Sequence, residues 1–266
     1  MHRMPAVANQ FYPGDPLALR DALEQLIPAR EPKKQARLVI SPHAGYVYSG
    51  GVAGATFAEV AIPGTALILG PNHHGTGEPL ALGVSDWSMP LGEVPIDREL
   101  AVAILRRSEI IVDDDSAHRL EHSLEVQVPF LQYLRPDIQI VPLVVSHVSY
   151  RDCCQAATDL AMAIRSVDHP VLLVASTDMT HYEPRQQASA KDRLALEQIL
   201  ALNPAGLYET VHAHRISMCG VVPTTIALLA AMDLGATRAE LVQYTDSGDV
   251  SGDISQVVGY AGVVVS

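Results

Sequence analysis

Cysteine is scarce, with three in 266 residues. So few thiols cannot build the disulfide framework on which small secreted folds depend. Cys153 and Cys154 are adjacent on an expected helix, point in different directions and cannot easily share one ligand sphere. Both are expected to be structural, since free cysteines are commonly buried. Basic residues are also in short supply: 18 Lys and Arg face 30 Asp and Glu, a net charge of −12. Lys33-Lys34 and Arg106-Arg107 are isolated pairs. Attraction to a phosphate backbone needs clustered cations, so a nucleic-acid partner is not expected. No apolar run approaches the roughly 20 residues of a membrane span. The N-terminus reaches Phe11-Tyr12-Pro13-Gly14 without the apolar segment of a signal peptide. The expectation is a soluble, cytoplasmic protein with no membrane partner. Several catalytic signatures are missing too: no GxSxG elbow, no GxGxxG after a strand, no Walker A sequence and no HExxH.

What the chain does have is an apolar content of 48% against 18% charged residues, the balance of a well-cored globular protein. It also has a repeated local pattern. Leu38-Val39-Ile40-Ser41-Pro42-His43 is a short β-branched run stopped by Ser-Pro and followed by an imidazole. Ala66-Leu67-Ile68-Leu69-Gly70-Pro71-Asn72-His73-His74 repeats the theme with a Gly-Pro stop. Val171-Leu172-Leu173-Val174-Ala175-Ser176-Thr177-Asp178-Met179-Thr180-His181 delivers an Asp and a His. Each reads as a buried strand ending in a turn, and the C-terminal ends of such strands are where open α/β sheets bind ligands. Core packing gives no reason for three strands to end in histidine. One site at one edge of one sheet does.

Between these strands the periodicity predicts helices over Leu17–Leu26, Ser49–Val60, Arg98–Arg107 with an Asp97 cap, Tyr150–Arg165, Ala188–Leu202, Pro204–His214 and Pro223–Met232. Residues 79–96 read as short antiparallel strands or an excursion over the site. Residues 120–128 read as a helix with Leu120, Leu124 and Val128 on one face, His122 and Glu125 sharing a face, and Pro129 ending or kinking it. Strands are expected at 138–145, 240–244 and 257–265. No repeat, low-complexity tract or linker divides the chain, so residues 1–266 are expected to form one α/β domain.

Neutral histidine is the commonest nitrogen ligand of divalent transition metals, which makes His43 and one of His73 or His74 the first two candidate ligands. The residues leave the third open. Asp178 would complete the two-histidine, one-carboxylate set of non-haem Fe(II) oxygenases. Cys219 is the rival, because it precedes an expected helix whose free N–H groups and dipole favour thiolate. His181 and His122 are candidate proton donors and acceptors. His118, His147, His169, His212 and His214 read as exposed or locally satisfied.

Phe11-Tyr12-Pro13, Pro42-His43-Ala44-Gly45-Tyr46, Leu69-Gly70-Pro71-Asn72-His73-His74, Glu121-His122-Ser123-Leu124-Glu125, Ser176-Thr177-Asp178-Met179-Thr180-His181-Tyr182 and Cys219-Gly220 occur in this order. Together they resemble the Memo family, whose prokaryotic members are called AmmeMemoRadiSam system protein B, over essentially the whole chain. The resemblance implies a mixed β-sheet flanked by helices, similar to the class III (LigB-type) extradiol dioxygenases. It implies metal ligands at His43, His73 and Cys219, with Asp178 and His181 around the metal as catalytic groups and His122 nearby. The related dioxygenases use Glu where this chain has Cys219, so a softer, more oxidisable donor replaces a carboxylate.

The function so implied is a non-haem Fe(II) or copper oxidoreductase with a dioxygenase-like pocket for a small molecule. The alternatives are a non-catalytic module that binds a peptide or protein in the same pocket, and a zinc hydrolase using three ligands and a water. The family name further implies radical SAM and AMMECR1-type proteins as partners.

Overall fold

The computed structural model describes residues 2–266. In chain order its strands are β1 (Leu38–Ser41), β2 (Thr65–Pro71), β3 (Leu80–Leu82), β4 (Trp87–Met89), β5 (Gly92–Val94), β6 (Val112–Asp113), β7 (Gln139–Val145), β8 (Val171–Ser176), β9 (His181–Glu183), β10 (Ala239–Asp246) and β11 (Val257–Val265). Its helices are α1 (Pro16–Leu26), α2 (Tyr46–Ala58), α3 (Arg98–Arg107), α4 (Val128–Leu134), α5 (Tyr150–Ile164), α6 (Arg185–Leu200), α7 (Pro204–Ala213), α8 (Val221–Asp233) and the single turn α9 (Gly248–Ser251).

Among the described residues, nine strands form one mixed sheet in the order β10-β11-β1-β8-β2-β7-β3-β6, with β9 added beside β11. Its centre, β1-β8-β2-β7, is parallel, and these strands are nearly continuous runs of buried Val, Ile and Leu, as a sheet covered on both faces requires. α1, α2 and α4 pack together, while α5, α7 and α8 form a second group. Both α2 and α8 rest on β1, so helices cover both faces. The mixed, helix-flanked α/β sheet is the fold class that the sequence predicts.

The parallel register aligns Ser41 of β1 with Ser176 of β8, and Leu69 of β2 with Ala175. All three histidine-bearing turns therefore leave the same edge of the sheet. The helix starts are largely where their caps predict. Asp97 accepts from Leu100 N at 3.0 Å to begin α3, and Asp15 caps α1 through Leu17 N and Ala18 N.

One local alternative is resolved and one expectation is corrected. Residues 79–96 do form antiparallel strands, with β3 along β7 and β4–β5 as a separate hairpin, but none of them lines the cavity described below. Residues 120–128 are not a helix. One short 3-10 turn at Asp115–His118 precedes them, and a second at Glu125–Gln127 leads into α4 at Val128. Pro129 stands in the first turn of α4, where a missing N–H costs nothing, and so opens a helix rather than ending one. Leu124 and Val128 are buried while Leu120 is 55% exposed, and His122 and Glu125 point to different surroundings. Polar side chains of this segment bind backbone groups elsewhere in the fold, which takes the place of helical hydrogen bonding.

Candidate functional site

His43 follows β1 and is buried, 2% exposed. Its backbone N–H donates to Asp178 Oδ1 at 2.8 Å, tying the turn after β1 to the turn after β8. Its Nδ1 is 2.8 Å from Ser176 Oγ. That hydroxyl donates its one proton to Ser123 O at 2.6 Å, and it accepts from Gln127 Nε2 at 2.9 Å. With its proton already used, Ser176 can only accept from His43, so His43 carries its proton on Nδ1 and presents the lone pair of Nε2. Burial pushes the His43 pKa well below the ordinary value, and the neighbouring His73 and His122 push it further, so the ring stays neutral.

His73, in the turn after β2, is fixed in the same way by Glu121. Its backbone N–H donates to Glu121 Oε2 at 2.6 Å and its Nδ1 to Glu121 Oε1 at 2.9 Å. Glu121 also accepts from His122 N and Ser123 N at 2.9 and 2.8 Å. Burial alone would raise this carboxyl, but the bonds from His73 and the backbone outweigh it and hold the pKa far below the carboxylate range. An ionised Glu121 accepts only, so His73 too carries Nδ1–H and leaves Nε2 free. Glu121 has no role in the motifs as read from sequence. The available signal was a carboxylate next to a candidate site histidine, the usual arrangement for orienting an imidazole.

His122 completes the group. Its ring stacks on His73 with centroids 4.5 Å apart, and its Nδ1 is 3.4 Å from Glu121 Oε1. Burial is the main cause holding its pKa down near 4. One nitrogen from each of His43, His73 and His122 can be chosen so that all lie within 4.8 Å of one another. His74, the other member of the His73-His74 pair, is exposed and outside this trio.

Cys219 lies beside the trio, its Sγ 3.4 Å from His43 Nε2. It precedes α8 and reaches the strand ends because Gly220 has no side chain: a Cβ there would come within 2.4 Å of Ser176 O. Asp178 N donates to the sulfur at 3.2 Å. The expected low thiol pKa is corrected. Burial pushes the thiol up, the Asp178 carboxylate pushes it further, and the N–H groups do not compensate. Asp178 itself is buried, which raises its carboxyl to about 6. His181 donates from Nδ1 to Ser217 O at 2.8 Å, leaving Nε2 unengaged. Of the other histidines, His118 donates from Nε2 to Ala81 O at 3.0 Å and His169 pairs with Asp97 at 2.6 Å, in agreement with structural roles.

A cavity of about 630 Å³ opens over this floor, lined by His43, His73, His122, Asp178 and His181, with Phe11, Tyr48, Tyr182 and Tyr260 on its walls. Fold and site together define an α/β protein whose central parallel strands collect a cluster of histidines at one sheet edge. A family model described as Memo-like protein matches residues 3–264, and the chain belongs to that family. It is 43% identical to a MEMO1 family protein of Methanopyrus kandleri, over 99% of each chain. It is 42% identical to one of Methanothermobacter thermautotrophicus, over 98% of this chain and 99% of the relative. A MEMO1 family protein of Aquifex aeolicus is 41% identical over 98% of each. No helix among the described residues is long and apolar enough to cross a membrane.

Proposed function

We propose that this chain is a metal-dependent oxidoreductase that uses one iron or copper ion at the strand edge to act on a small molecule in the 630 Å³ cavity. The observation that carries the reading is the convergence of three imidazoles within 4.8 Å, two of them locked in the tautomer that presents Nε2. The donor chemistry fits a borderline transition metal: neutral nitrogens with a thiol beside them. His43 and His73 would hold the ion, with Cys219 and His122 completing the donor set. When bound, iron or copper supplies Lewis acidity and one-electron exchange.

The remaining polar groups of the cavity would manage protons and orientation. His181 has a free Nε2 on the cavity wall, suited to taking a proton from a bound hydroxyl. Asp178 accepts from the backbone of the His43 turn through its carboxylate and donates its own backbone N–H to the Cys219 sulfur, and so holds both segments in register.

Elemental analysis of anaerobically purified protein tests the reading. About one iron or copper per chain is expected, falling to background in His43→Ala and His73→Ala. Oxygen uptake with a panel of catechols then tests the redox assignment. Zinc alone with no oxygen uptake, or a folded chain that takes up no metal, would overturn it.

A further inference from the structure

His73 also lines a second cavity. This cavity, of about 540 Å³, also reaches Cys219, whereas His43, His122 and His181 do not line it. The two cavities differ in charge. The first carries the carboxylates of Asp178 and Asp253 and no Lys or Arg. The second carries Arg215 with His147 and His212, and no carboxylate, although the chain as a whole has 30 acidic residues against 18 basic ones. Arg215, an exposed residue, lines this concave space, and like Arg119 and Arg151 it has no carboxylate partner among the described residues. The rest of the wall is largely apolar, with Val211, Ile216 and Met218 beside the arginine.

We propose that this second cavity is a binding site for a small organic oxyanion, a carboxylate or phosphate ester with an apolar body. Arg215 holds the anionic group through its planar pair of N–H donors. The apolar body lies inward against Ile216 and Met218, toward Cys219 and His73. An acidic protein repels anions at long range, so a carboxylate-free pocket with an uncommitted arginine is where one can be retained. The ligand would share the His73 wall with the contents of the first cavity without entering it. The proposal goes beyond the metal-centred reading and does not require the metal.

The test uses the metal-free chain titrated at fixed ionic strength with hexanoate, hexyl phosphate and hexylammonium, followed by backbone amide NMR. Either oxyanion should move the amides of Ser146, Ile216 and Val222, and the tighter of the two names the anionic group. Hexylammonium should not move them. Arg215→Gln should weaken oxyanion binding at least tenfold, while Arg119→Gln and Asp253→Asn, which lie outside this cavity, should leave it unchanged. Equal binding of hexylammonium, shifts scattered over the surface, or an Arg215→Gln chain that binds as well as the parent would each overturn the proposal. Because no metal is present, these outcomes are independent of whether the chain is an oxidoreductase.

Discussion

Ser176 Oγ accepts the Nδ1 proton of His43 at 2.8 Å because its own proton is already committed to Ser123 O. A single hydroxyl thus decides which nitrogen His43 offers to the cavity. Ser176→Ala should leave the ring free to populate both tautomers, visible in the imidazole nitrogen NMR spectrum of metal-free protein. Metal affinity should fall about 10–100-fold, the usual cost of losing such an orienting partner. A single Nδ1–H tautomer persisting in the variant would show that Ser176 does not set it.

Cys219 and Cys154 should differ in reactivity. Burial raises the Cys219 thiol, and Cys154 is partly exposed on α5. Alkylation of metal-free protein at mild alkaline pH is therefore expected at Cys154 first, with Cys219 slower, and peptide mass mapping reads the order. Fast labelling of Cys219 would mean that the N–H groups around its sulfur outweigh burial.

On the proposed oxidoreductase reading, His181→Ala should keep the metal while kcat falls about 100-fold or more, within the range usual for a lost proton-transfer group. Metal analysis and turnover on the same sample separate the two effects. Loss of metal equal to that in His43→Ala would make His181 a ligand.

The N-terminal segment should matter out of proportion to its length. Arg3 and Glu125 form an ion pair 122 residues apart in the chain, in which neither side chain is more than 5% exposed. Glu125 also accepts from Ala6 N, Val7 N and Tyr12 Oη, and Arg3 donates to Glu121 O at 2.6 Å. Arg3→Ala leaves a buried carboxylate without its cation, a change that costs about 3–5 kcal/mol in comparable cases. Urea unfolding measures it.

How legible this was from sequence depends on how far each residue reaches. The β1, β2 and β8 strands announced themselves through local apolar runs and their Pro or polar stops, and the shared sheet edge followed from parallel pairing. Glu121 and Glu125 did not. Their four-residue spacing mimics one face of a helix, but their donors are His73, Arg3 and Tyr12, contacts that no local window contains. Cys219 misled for a related reason: its helix start was visible, but the burial that governs its thiol was not.

Acid should destabilise the metal-free chain before its carboxylates titrate. His118 is 2% exposed, and burial is the main cause of its pKa being lowered to about 4. The unfolded histidine still takes a proton near pH 6.5, so unfolded chain binds more protons below that value. The stability this group contributes is complete above about pH 6.5 and is lost as the pH falls toward about 4. Between about pH 7.5 and about pH 5 its share is about 2 kcal/mol. His118→Gln should flatten the pH dependence of urea unfolding by that amount. An unchanged slope would mean that His118 is already protonated in the fold.

β1 has no neighbour that is close in sequence. Leu38 stands opposite Leu173 of β8 on one side and Val265 of β11 on the other. β8 is also what joins β1 to β2. A nascent chain that has emerged only as far as residue 170 therefore carries His43, His73 and His122 but lacks the strand that brings the first two together. Translation has to pass β8, which ends at Ser176 of 266 residues, before the cluster that includes His43 can form.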